Sequence, residues 1–225
     1  MEFKTKNKTA LVFGYTGLIG GQLTRLLLED ERYSKIKVFV RRPVRQKHSK
    51  LEVILTDYED LPSVAPEISG DELFCCLGTT MKKAGSRTAF AKVDLDYPVQ
   101  IAEIASTNKV AKYLVVSSIG ASKNSTGFYL RTKGIMEEAM KKYEFRQLAI
   151  FRPSLLLGTR NDKRWGEDAG KWLYGIIGFL FRGPLAKYRA IEGVTVARAM
   201  INVANNLPGQ VVYESDAIQK IGQTD

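Results

Sequence analysis

Residues 14 to 20 read GYTGLIG, which places Gly14, Gly17 and Gly20 at the spacing G-x-x-G-x-x-G. The apolar run Thr9 to Phe13 precedes them, and Leu18, Ile19, Leu23, Leu26 and Leu27 follow at helical spacing. A glycine turn between strand and helix bends the backbone sharply, lets an anion approach the main chain and aims the first helical amides at it. Gly14, Thr16, Gly17, Leu18, Ile19 and Gly20 are therefore expected around a pyrophosphate, and the strand-turn-helix context separates this turn from a packing turn.

The next apolar run, Ile36 to Val40, ends not in an acid that would bind ribose hydroxyls but in Arg41 and Arg42. Guanidinium groups grip a phosphate through paired donors and charge, so the expected cofactor is NADP(H). The other reading of these arginines is one end of a solvated basic loop that continues through Arg45, Lys47 and Lys50. Asp57, after the third apolar run, has two uses open to it: accepting a hydrogen bond from the adenine amine, or capping a helix. Leu77, Gly78 and Thr79 follow the fourth run, on the edge where such folds bind ligands.

Ser117 and Ser118 end the fifth run, and Tyr129 and Lys133 then stand one helical turn apart in YLRTKG. A tyrosine ionises near a pH of about 10, and a neighbouring ammonium together with an oxidised nicotinamide favours its phenolate. In this reading Ser118 binds a substrate oxygen, Tyr129 passes the proton and Lys133 supplies charge and binds the nicotinamide ribose. Ser117 or Ser118 fits the serine role according to register, and Ser118 is the choice made here. Tyr33 and Lys37 have the same spacing, but Tyr33 precedes the second strand, at the wrong edge for a cofactor.

Further apolar runs lie at Leu51 to Leu55, Glu72 to Leu77, Lys112 to Ser118 and Arg146 to Phe151, with helical patterns at Asp94 to Asn108 and Thr132 to Tyr143. Strands without polar alternation suit a parallel sheet covered on both faces. The expected fold class is α/β, a doubly wound parallel sheet of the Rossmann type with a small C-terminal lobe. It forms a single domain over 1–225, with a dinucleotide-binding core at 1–158 and a substrate-side lobe at 159–225. That lobe includes a helix near Thr195 to Asn206. It also carries Trp165, Trp172, Tyr174 and Phe179, which either wall a substrate cleft over Arg160 to Lys187 or fill a core or a homodimer contact.

The net charge of +10 attracts nucleic acid or any small anion. Because the main basic cluster already has a dinucleotide to explain it, no nucleic acid is expected. Cys75 and Cys76 are neighbours in a strand, so they face opposite ways and make no disulfide framework, and His48 has no companion ligand, so no metal is expected. The polar, basic start MEFKTKNK is no secretory signal, and the apolar stretch from Trp172 to Phe181 is too short to span a membrane. A cytoplasmic protein is expected.

FCCLGTT with the KAG after it, VSSIGA, FYLRTKG and FRPSLLLG resemble the Tat-interactive protein 2 family, within the atypical short-chain dehydrogenases/reductases. The resemblance runs from the glycine turn nearly to the C-terminus. It implies an NADPH site at Gly14, Gly17, Gly20 and Arg41, a Ser-Tyr-Lys trio, and Arg152 and Pro153 beside the nicotinamide. It also implies relatives that act as regulators binding protein partners. Two functions follow: an NADPH-dependent reductase of a small carbonyl, or a redox-sensing NADP(H)-binding regulator with a protein partner. A nucleotide-sugar epimerase or dehydratase ranks third, because the tail after Gly158 leaves little room for a second nucleotide.

Overall fold

Runs of Val, Ile, Leu and Phe are stable only when both faces are covered, and the chain meets that demand by alternating strands with helices. The computed structural model describes residues 7–157, 188–206 and 211–224. The first half contains β1 (Lys8–Phe13), α1 (Leu18–Glu29), β2 (Tyr33–Val40), β3 (Leu51–Leu55), a 3-10 segment (Tyr58–Glu67) and β4 (Glu72–Cys75). Then come the short helices α2 (Met81–Ala84) and α3 (Arg87–Ala91), a π-helical turn (Lys92–Asp96), α4 (Tyr97–Thr107), β5 (Lys112–Val116) and α5 (Phe128–Met140). The remainder supplies β6 (Gln147–Arg152), β7 (Leu156–Leu157), β8 (Ile191–Glu192), α6 (Gly193–Asn206), β9 (Val212–Glu214) and α7 (Ser215–Ile221).

Seven strands form one parallel sheet in the order β3-β2-β1-β4-β5-β6-β9, which is the doubly wound arrangement. The order reverses between β1 and β4, and the carboxyl ends of the strands at such a reversal are where folds of this kind bind ligands. Side chains alternate across the sheet: Ala10, Val12 and Phe74 join the core beneath α1, α6 and α7, while Leu11, Phe13, Leu73 and Cys75 join the core beneath α4 and α5. Cys75 and Cys76 accordingly pack on opposite faces.

The described parts of the segment expected as a lobe join this sandwich. β9 pairs with β6 at the edge of the sheet, and α6 packs on α1. Residues 158–187, with Trp165, Trp172, Tyr174, Phe179 and the Arg160 to Lys187 cleft reading, lie outside the described residues.

At the amino ends of the strands a buried polar cluster ties five elements together. Glu72, 1% exposed, accepts from Lys8 Nζ at 2.9 Å, Lys112 Nζ at 3.0 Å and the Tyr33 hydroxyl at 2.5 Å. Asn205 on α6 donates to the Tyr33 oxygen at 2.7 Å, and Lys112 also donates to the Ala204 carbonyl. Burial and then Glu72 push the Tyr33 phenol far above its usual range.

Glu72→Ala should therefore cost about 3–5 kcal/mol of unfolding free energy, because it strands a buried ammonium. Arg25→Ala, at the exposed Arg25–Glu29 pair, should shift stability by less than about 0.5 kcal/mol. Urea denaturation of both variants measures the contrast, and equal losses would count against the buried cluster as a structural pin.

Candidate active site

The glycine turn is fixed by contact as much as by conformation. Gly14 has φ +86°, and a Cβ there would stand 2.5 Å from the Cys76 carbonyl oxygen. A Cβ on Gly20 would stand 2.2 Å from the Gly14 carbonyl oxygen. Backbone therefore packs on backbone where β1, α1 and the end of β4 meet. α1 begins after Gly17 with no side-chain cap, and its first intrahelical bond runs from the Gly21 N–H to the Gly17 carbonyl. The amides of Leu18 and Ile19 precede that bond, which suits them to an anion. A pyrophosphate fits this cradle: glycine leaves the room and the uncapped helix end supplies the donors.

Thr16, Arg41 and Arg42 are exposed on the same carboxyl edge, the arginines directly after β2. Asp57 caps the 3-10 segment by accepting the Glu59 N–H at 3.1 Å, the second of the two uses open to it. Leu77 is buried and Gly78 exposed, and the Thr79 N–H donates to Asp94 Oδ2 at 2.8 Å.

Asp94 is the residue that the sequence reading missed. It lies in the π-helical turn, 1% exposed, and its Oδ1 stands 2.9 Å from Lys133 Nζ. Lys133 also donates to the Val116 carbonyl at 3.3 Å. Burial pulls the Lys133 ammonium down, but Asp94 and then Tyr129 outweigh it, so its net displacement is upward and it stays charged. One turn earlier on α5, Tyr129 is 39% exposed and lies edge-on to Phe90 with ring centroids 5.7 Å apart. At Gly134 a Cβ would stand 2.1 Å from the Ser122 carbonyl carbon, so α5 lies directly on the loop after β5.

The serines divide. Ser117 donates its hydroxyl to the buried Glu137 at 2.5 Å, while the half-buried Ser118 makes only a 3.4 Å contact with the Ile119 carbonyl. Glu137 was missed as well, although Tyr129, Lys133 and Glu137 recur every four residues on one face of α5. Arg152 does not stand free beside a nicotinamide site. It grips Glu137 through Nε at 3.0 Å and Nη2 at 2.5 Å, and Glu214 through Nη1 at 2.9 Å. Pro153 is buried, and its carbonyl accepts the Ile119 N–H at 3.0 Å, tying the ends of β5 and β6.

Tyr33 and Lys37 play no part at this edge: Tyr33 belongs to the amino-edge cluster and Lys37 pairs with Glu67 at 2.8 Å. Burial raises both cysteine thiols, which leaves them protonated and unreactive at neutral pH. Among the described residues no cluster of His, Cys, Asp and Glu could hold a metal, and no helix is long and apolar enough to cross a membrane.

A family model described as NAD(P)H-binding matches residues 14–156. Protein HTATIP2 of Rattus norvegicus is 33% identical over 228 residues, covering 99% of this chain and 92% of the relative. Protein FMP52, mitochondrial, of Debaryomyces hansenii is 32% identical over 203 residues, covering 88% of each. The ADP-L-glycero-D-manno-heptose-6-epimerase of Helicobacter pylori superposes with a TM-score of 0.69 at 18% identity, over 99% of this chain and 84% of that one. The Bordetella bronchiseptica enzyme WbmH in complex with NAD+ superposes with a TM-score of 0.68 at 16% identity, over 92% and 75%. At such identities these structures establish the fold alone. The name mitochondrial, repeated for FMP52 proteins of other fungi, overturns the expectation of a cytoplasmic protein. That expectation rested on reading MEFKTKNK as no secretory signal, a reading that bears on the secretory route and on no other compartment.

The Asp94–Lys133 pair has a testable pH signature. Because the folded Lys133 is displaced upward, its stabilisation is complete below the ordinary lysine value of about 10.4 and is lost as pH rises through the folded value. Asp94→Asn keeps the shape but leaves a buried ammonium unpaired, at an expected cost of about 3 kcal/mol at neutral pH. Its lysine is then displaced downward, so the variant gains on the wild type as pH rises. Urea unfolding at neutral and alkaline pH should show the gap narrowing, and a constant gap would contradict the pairing.

Proposed function

The chain belongs to the NAD(P)H-binding family of short-chain-dehydrogenase-like proteins, related to HTATIP2 and FMP52, and on that premise we propose that it is an NADP(H)-dependent reductase of a small carbonyl compound. One observation carries the reading: a buried, charged Lys133, fixed by Asp94, lies one turn from the exposed phenol of Tyr129 on the carboxyl edge. A packing role would account for a buried lysine or an exposed tyrosine singly. It gives no reason for their adjacency at the edge where such folds bind dinucleotides.

Gly14, Thr16, Gly17, Leu18, Ile19 and Gly20 would hold the pyrophosphate, Arg41 and Arg42 the 2′-phosphate, and Leu77, Gly78 and Thr79 the middle of the cofactor. NADPH bound there would supply the hydride to the carbonyl carbon. Ser118 donates a hydrogen bond to the carbonyl oxygen, and Tyr129 gives that oxygen its proton. Lys133 favours the phenolate that remains and binds the nicotinamide ribose. Arg152 and Ser117, spent on Glu137, contribute by holding the ends of β5 and β6 against α5.

A second reading, an NADP(H)-binding regulator with a protein partner, is favoured by one fact: Asp94 cancels the charge that Lys133 would lend to Tyr129. The two readings part at Tyr129, which the regulator does not need.

Calorimetric titration should show tighter binding of NADPH than of NADH. Arg41→Ala should weaken NADPH roughly tenfold or more, since hydrogen bonds to charged groups are worth about 1.5–3 kcal/mol. In a screen of aldehydes and ketones for NADPH oxidation, Tyr129→Phe should lower turnover by about 10²–10⁴-fold. NADPH binding with no turnover of any carbonyl would favour the regulator.

A further inference from the structure

The two segments that carry the proposed site are strongly one-sided in charge. Residues 73–93 and 117–136 contain seven lysines and arginines and no aspartate or glutamate. Two of the seven are neutralised from elsewhere, Lys92 by Glu59 at 2.6 Å and Lys133 by Asp94 at 2.9 Å. Arg87 is not: it is exposed at the start of α3 and makes no ion pair among the described residues. Its head group is nevertheless held in place, 5.3 Å from the centre of the Phe128 ring.

That ring belongs to an aromatic group leading to the proposed proton donor. Phe90 lies edge-on to both Phe128 and Tyr129, each at 5.7 Å. Phe128 and Tyr129 are consecutive in the first turn of α5, and the contacts that lead from Arg87 to the Tyr129 ring pass through Phe128 and Phe90. The placement also separates Arg87 from the arginines assigned to the cofactor. Arg41 and Arg42 follow β2, on one side of the sheet reversal, while Arg87 and Tyr129 follow β4 and β5 on the other. The 2′-phosphate assigned to Arg41 and Arg42 therefore lies across the reversal from Arg87 and does not account for it.

We infer that the substrate is an anionic carbonyl compound, whose carboxylate or phosphate pairs with Arg87 while its apolar body lies on Phe128, which the buried Phe90 backs from the core, and its carbonyl reaches Tyr129. Arginine suits this use because its planar fork pairs with a carboxylate or phosphate through two donors while its face rests on a ring. The excess of lysine and arginine in these two segments raises the local concentration of an anionic substrate. The inference deepens the reductase reading and rests on it for the word substrate, but the anion site is measurable without turnover.

The test compares 4-carboxybenzaldehyde with its methyl ester, methyl 4-formylbenzoate, as oxidants of NADPH. It also measures binding of 4-(hydroxymethyl)benzoate and its methyl ester to the NADP+-loaded protein by calorimetry. In the wild type the acids should be preferred over the esters by about tenfold or more, the worth of one charge-assisted contact. Arg87→Ala should erase that preference, Arg87→Lys should retain part of it and Arg87→Glu should invert it. If neither aldehyde oxidises NADPH while the benzoate still binds in an Arg87-dependent manner, the anion site stands and the reductase reading falls. No preference for the acids in the wild type, or a preference that survives Arg87→Ala, overturns the inference.

Discussion

Everything at the carboxyl edge depends on one buried charge pair. Lys133 and Asp94 meet where neither can be solvated, and such a pair persists only when each partner has further hydrogen bonds. Asp94 has the Thr79 amide and Lys133 has the Val116 carbonyl, so the pair joins the loop after β4, the π-helical turn, the end of β5 and α5. The π turn itself fits this role, since an extra residue in a helical turn re-aims a side chain that a regular helix would point elsewhere. Removing either partner leaves an uncompensated ion in the core, which makes the arrangement all-or-none.

The two ends of the sheet are both polar and are built for different purposes. At the amino end the buried charged groups close one another off: Glu72 takes two ammonium groups and a phenol, and α6 is fastened to the cluster through Asn205 and Ala204. At the carboxyl end the closed groups are Asp94, Lys133, Glu137, Ser117 and Arg152, and they form a floor. Above that floor stand groups with little or no partner among the described residues, namely Ser118, the Tyr129 phenol, Arg41, Arg42 and Arg87. A tyrosine and a lysine at the same spacing thus become a structural pin at one end and a candidate catalytic pair at the other.

The double use of α5 explains why its position is so tightly determined. Glu137 fixes its last turn to β5 through Ser117 and to β6 and β9 through Arg152 and Glu214, and Gly134 lets it lie against the Ser122 backbone. With two contacts setting its rotation and one setting its depth, Tyr129 in its first turn is presented at the carboxyl edge without needing a rigid anchor of its own.

What the linear chain determined by itself is what short-range pattern can carry. Apolar runs separated by amphipathic stretches imply a doubly wound sheet, three glycines between strand and helix imply a phosphate turn, and neighbouring cysteines in a strand must face apart, because these follow from backbone geometry and side-chain period. The strings FCCLGTT and FYLRTKG carried the resemblance to a family, which the relatives then matched. Only the tertiary structure decided which ions meet. Asp94 and Lys133 lie on different helices, Glu137 draws its partners from the ends of β5 and β6 with Arg152 passing on to Glu214 of β9, and β9 and α6 return from the far end of the chain to complete the sandwich. No local period encodes such meetings. They are enforced by desolvation, since a polar group buried by the fold must find a partner among whatever the topology brings within reach.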